Sequence, residues 1–166
     1  KMDYDLHLDG TQSADAIPGL DLLVSTDPTS GVVGGIDRSV AANIYWRNQV
    51  NTGINTGTAD ALTEAMEIVW RNCTRVGGNQ PNLILMGSKF YDAYRKDNKD
   101  NIDRQIMVPQ SGGVGMDGSV KAIGFKGVEC QWDPVLDDLQ ANLSPTIDYD
   151  KPCYFLNTRF MKLRPA

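Results

Sequence analysis

The chain holds one histidine, three cysteines and a scatter of acidic side chains, and these decide which reactions are open to it. His7 is the only imidazole, so a Ser-His-Asp or Cys-His arrangement would have to use it as general base. It lies in a polar stretch near the start, no Gly-x-Ser-x-Gly elbow accompanies it, and it reads as an exposed surface histidine. Gly113-Val114-Gly115-Met116-Asp117-Gly118 matches the dinucleotide pattern Gly-x-Gly-x-x-Gly letter for letter. That pattern works where a strand precedes it and a helix N-terminus follows to hold a pyrophosphate. Here Pro109 interrupts the approach and Ser119 to Phe125 lead into a strand, so a flexible loop or hairpin tip is expected. Asp133, Asp137, Asp138, Asp148 and Asp150 gather beside Trp132 and could hold a cation or supply paired carboxylates. They lack the spacing of a calcium loop, and a solvated acidic loop over 133–150 is the simpler reading.

Cys73, Cys130 and Cys153 are odd in number and form no Cys-x-x-Cys pair. Neither a disulfide framework nor a zinc site is implied, and reduced thiols are expected. Trp46, Trp70 and Trp132 each stand beside apolar neighbours, so core packing is expected for all three. The chain is therefore expected not to be an enzyme. No residue is assigned a catalytic, cofactor-binding or metal-binding role, and no cofactor is expected. The competing reading is a small carboxylate- or metal-dependent hydrolase using the acidic loop 133–150.

Any site must be carried by the elements the pattern predicts. Residues 1–58 read as a loop-rich N-terminal segment packed on a core. Turn chemistry dominates in Asp27-Pro28-Thr29-Ser30-Gly31 and Gly34-Gly35, and Ile44, Tyr45 and Trp46 suggest a short strand. Residues 59–166 read as an α+β core domain. Leu62, Ala65, Met66, Val69 and Cys73 recur at three- and four-residue spacing, predicting a helix over about 59–75. Thr58 or Asp60 would cap it and Gly77-Gly78 would end it. Leu83 to Met86, between Pro81 and Gly87, predict a buried strand. Ser88 is placed to cap a second helix that carries Phe90, Tyr91 and Tyr94 and fades near Asp97. Residues 122–132 give a half-buried strand, and Cys153 to Asn157 another. Phe160, Met161 and Leu163 suggest a further short strand. A mixed sheet with covering helices follows.

Composition narrows the function classes. At 166 residues, 41% hydrophobic and 22% charged, the chain suits an ordinary globular domain rather than a disordered one. The net charge of −5 argues against a nucleic-acid grip, which needs a basic surface to displace counterions. No apolar run approaches the ~20 residues that span a bilayer, and no membrane partner is expected. The charged opening Lys1-Met2-Asp3 lacks the apolar stretch of a secretory leader, and a start at Lys reads as a fragment or processed chain.

Particular strings carry more information than periods. Ile17-Pro18-Gly19-Leu20-Asp21-Leu22-Leu23-Val24, then Gly34-Gly35-Ile36-Asp37-Arg38, then Tyr45-Trp46-Arg47-Asn48-Gln49 stand in this order. Pro81-Asn82-Leu83-Ile84-Leu85-Met86, Phe125-Lys126-Gly127-Val128, Tyr154-Phe155-Leu156-Asn157-Thr158 and Leu163-Arg164 follow. The series resembles the major capsid proteins of tailed bacteriophages and prophages over nearly all of residues 17–164. Its motifs are individually weak, and their order and spacing carry the likeness. The resemblance implies the tailed-phage capsid fold, with this chain as a central fragment: the axial domain plus part of the peripheral domain. It implies a shell subunit whose partner is itself, in hexamers and pentamers around DNA, with scaffold and portal proteins as further partners. DNA is enclosed rather than gripped, and the location is the virion capsid, assembled in the bacterial host cytoplasm. A shell protein of a phage-derived encapsulating compartment is the neighbouring alternative. The resemblance brings no catalytic centre, and no crosslinking residue of the family is matched here.

Overall fold

A computed structural model describes residues 2–14, 16–58, 60–75, 79–100, 123–143, 148 and 150–161. In chain order the elements are α1 (Met2–His7), α2 (Leu20–Leu23), β1 (Val32–Val33), β2 (Ile36–Asp37) and a 3₁₀ helix (Ala41–Trp46). Then come α3 (Ala61–Arg75), β3 (Leu83–Met86), α4 (Ser88–Asp100), β4 (Ile123–Phe125), β5 (Val128–Trp132), α5 (Pro134–Leu143) and β6 (Cys153–Leu156). Strands β1 and β2 form a small antiparallel ribbon, and the main sheet runs β4-β5-β3-β6. Strand β3 is parallel to β5 and antiparallel to β6, so the sheet is mixed and the chain α+β, as expected.

The apolar run of β3 has a physical cause: both of its faces are covered. Ile84 and Met86, fully buried, pack on one side with Met66 and Trp70 of α3 and Tyr94 of α4. Trp70, Phe125 and Phe155 meet there edge to face, with ring centroids 5.8 to 6.2 Å apart. Leu83 and Leu85 face the other way, where Leu136 and Leu139 of α5, Leu20 of α2 and Tyr154 and Leu156 of β6 close a second core. The helix expected near 59–75 thus packs on the expected strand. At its entry Asp60 takes a positive φ of 65°, and the Ala61 and Glu64 amides bond the Thr58 and Asp60 carbonyls.

Several expectations are corrected. Ile44 to Trp46 form the end of a 3₁₀ helix and not a strand. Asn43 Nδ2 donates to the Asp37 carbonyl (2.7 Å) and Trp46 Nε1 to that of Val33 (2.9 Å), which winds the segment against the β1–β2 ribbon. Residues 123–132 are two strands, because Lys126 and Gly127 (φ 52° and 85°) make a two-residue hairpin turn. The acidic stretch 133–150 is not a loop throughout, since α5 occupies Pro134–Leu143. Phe160 and Met161 belong to a turn: their amides bond the Asn157 and Thr158 carbonyls and their side chains are exposed. Ser88 is the first residue of α4 rather than its cap, and α4 runs on to Asp100. Gly77-Gly78, the motif 113–118 and Leu163 lie outside the described residues.

Candidate functional site

Strands β3 and β5 run parallel and end side by side at Met86 and Trp132. Helices α4 and α5 then leave for opposite faces of the sheet. In open α/β sheets such a divergence opens a crevice over two helix N-termini, where ligands bind. Most of the acidic residues singled out in the sequence come to this end, together with the histidine.

Asp133 is the hub. Its amide donates to the Met86 carbonyl (3.1 Å), which ties it to β3. Its Oδ1 accepts the Val135 amide (3.0 Å), which makes it the N-cap of α5 with Pro134 in the first helical position. Its Oδ2 meets His7 Nε2 at 3.1 Å. His7 is therefore buried (7% exposed) and not on the surface, because α1 lies against α5 and carries the ring onto the cap.

Asp137, one turn into α5, bridges two elements. Oδ1 accepts the Ser88 amide at the start of α4 (3.3 Å) and Oδ2 accepts Trp132 Nε1 (2.8 Å). Asp150 accepts the Lys89 and Phe90 amides on its carbonyl (3.0 and 3.3 Å) and pairs with Lys89 Nζ through Oδ2, while its Oδ1 is buried without a hydrogen bond. The Asp150 carboxylate holds the Lys89 amine above its ordinary pKa, first through the hydrogen bond and then through charge, with Asp148 and Asp137 adding to the field. Asp148 itself pairs with Lys151, whose hydrogen bond and charge lower the carboxyl. Asp138 is exposed.

Both helix N-termini at this end of the sheet are thus occupied by carboxylates of the chain itself, Asp133 on α5 and Asp137 on α4. The contacts join α1, α4, α5 and the strand ends. Each of the four acids Asp133, Asp137, Asp148 and Asp150 is directed to its own partner. Among the described residues no group of three His, Cys, Asp or Glu side chains is arranged to hold a metal ion.

The thiols are free, and none is set up as a nucleophile. Burial pushes Cys130 up to about 12, raises Cys153 well above its ordinary range through the same cause with Cys130 beside it, and raises the half-buried Cys73. A thiol becomes reactive when its pKa falls, which is the opposite direction. Of the three tryptophans only Trp70 is core. Trp46 and Trp132 are 42% and 51% exposed, because each turns its indole N–H to an acceptor at the edge of its element.

A cleft of about 540 Å³ lies at the other end of the sheet, between residues 79–82, 127–129, Asn157 and Arg159. Its walls are stapled by amides. Asn82 Nδ2 donates to Thr158 Oγ1 (2.8 Å), the Thr158 amide returns to Asn82 Oδ1 (2.9 Å), and Asn157 Nδ2 donates to the Gln80 carbonyl (3.1 Å). Sequence reading missed this cleft and the role of Lys89; the amide-rich run Asn79-Gln80-Pro81-Asn82 was the one signal for the cleft. No protein-family model matches the chain, and no curated protein and no solved structure matches it.

Proposed function

We propose that this chain is part of the major capsid protein of a tailed bacteriophage or prophage, a structural subunit that associates with copies of itself. The observation that carries the reading is the ordered series of strings from Ile17 to Arg164. The chemistry at the strand ends supports it. The histidine and the acids that would serve a reaction are engaged in a helix cap, a helix bridge and ion pairs. A subunit of this kind needs a rigid core and broad contact faces, and it encloses DNA without a basic grip, which suits a net charge of −5. The finer fold reading, axial domain with part of the peripheral domain, belongs to this proposal. So do the virion location, the hexamers and pentamers, and the scaffold and portal partners. Among the described residues no helix is long and apolar enough to cross a membrane.

The test is expression of the complete reading frame with its neighbouring scaffold gene, followed by negative-stain electron microscopy. Shells or capsomers are expected. Monodisperse monomers under every condition would refute the proposal. Portal and terminase genes beside the reading frame, rather than a cargo-enzyme gene, would separate a phage head from an encapsulating compartment.

A further inference from the structure

Residues 25–48 leave the core and return as a closed excursion. Asn48 Nδ2 donates to the Ser25 carbonyl (2.8 Å), and the Ser25 amide donates back to Asn48 Oδ1 (3.3 Å), which fixes the base. Arg38, only 3% exposed, reaches the Leu23 carbonyl at 2.6 Å and pins the excursion to α2. Inside it, Arg47 Nε donates to the Arg38 carbonyl at 2.8 Å, beside the Asn43 and Trp46 bonds already described.

Val33 is buried under the Trp46 indole bond, but most of the large apolar side chains of the stretch face out. Val32, Val40, Ile44, Tyr45, Trp46 and Val50 are all exposed, Ile44 and Tyr45 to 65% and 63%. Neither core cluster includes a residue of this stretch. Added together, these six residues expose on the order of 600 Å², against the ~800 Å² a side of a standard protein interface.

Charge selects the occupant. The chain carries −5, yet Asp27 and Asp37 here are balanced by Arg38 and Arg47. Two copies of an acidic chain repel least where each is neutral and apolar. A nucleic acid or an anionic membrane would instead call for an excess of Lys and Arg. We propose that residues 25–50 form the face through which one copy of this chain docks on a second copy. This rests on the shell reading above and names the surface that reading leaves open.

Sedimentation velocity of the whole 166-residue chain, from micromolar to millimolar concentration, should show mass rising with concentration. Ile44→Ser combined with Tyr45→Ser should weaken the association at least about tenfold. Ile68→Ser, at an exposed apolar position on α3, should leave it unchanged. The altered side chains are solvent-facing, so the fold should hold, which circular dichroism checks. Without any variant, amides 40–50 should gain protection from hydrogen exchange as the chain is concentrated. A chain monomeric at every concentration, equal association of the double variant, or protection gained only elsewhere would each overturn the proposal. Particles from the complete reading frame with a monomeric 166-residue chain would remove this face and keep the shell. Association through Ile44 and Tyr45 with no particle under any condition would remove the shell and keep the face.

Discussion

A Cβ placed on Gly19 would lie 2.3 Å from the Leu6 carbonyl oxygen and 2.6 Å from that of Asp5, closer than atoms can approach. The Gly19 amide also donates to the Leu8 carbonyl at 2.8 Å, so the chain cannot back away without losing that bond. Gly19→Ala should therefore cost about 1–3 kcal/mol, as overpacking does. The denaturation midpoint should fall, and exchange should rise first in residues 2–8; an unchanged midpoint would show that the crossing is loose. Cys130 gives a pH prediction. Its native pKa is raised to about 12 from the ordinary 9.0, so above pH 9 the unfolded chain releases a proton that the native chain keeps. Its contribution to stability is intact below pH 9 and declines from there toward 12, by up to roughly 1.4 kcal/mol per pH unit. Cys130→Ala should flatten the loss of stability between pH 8 and 10.5 in urea melts, with Cys153 leaving a residual slope of the same sign. Parallel curves would refute it. Neither the Gly19 crossing nor the burial of His7 is legible in sequence, because each depends on how α1 is laid across distant chain.

Among the elements, α5 shows most directly what pattern reading loses. Asp133-Pro134 is an N-cap followed by the residue best suited to the first helical position, and Leu136 and Leu139 sit three apart. The density of Asp and Pro suits a solvated loop equally well, since the same residues serve turns and helix starts. Helix α3 and strand β3 are legible for the converse reason: their apolar residues have a clean period, and Pro81 and Gly87 bound the strand. The hairpin between β4 and β5 is hidden because a lysine, not asparagine or aspartate, takes the first left-handed position of the turn. The candidate site was legible only as a list of acids, because their partners come from α1, α4 and β5. Asp133→Ala removes both the cap acceptor and the partner of His7, and should cost about 2 kcal/mol. His7→Ala removes the second contact and leaves the cap. If the two substitutions lower the urea midpoint equally, Asp133 contributes nothing as a cap and the account of α5 fails.

At the scale of the molecule, charge and apolar surface act against each other when copies meet. Each copy brings −5, while residues 25–50, the excursion and the two positions after it, bring exposed aliphatic and aromatic surface with no net charge. Repulsion between whole copies is long-ranged and screened by salt, with a Debye length of about 30 Å at 0.01 M and about 8 Å at 0.15 M. Apolar burial is short-ranged and salt does not weaken it. Self-association should therefore strengthen as salt rises from about 0.02 M to about 0.3 M, with the apparent dissociation constant falling severalfold. Contacts made by Lys and Arg to phosphate behave oppositely, because added salt opposes counterion release. Light scattering across a salt series reads the sign directly. Dissociation on adding salt would mean that ion pairs rather than the apolar excursion hold the copies together. A salt-weakened complex with DNA would point to a basic face that the charge balance of this chain argues against.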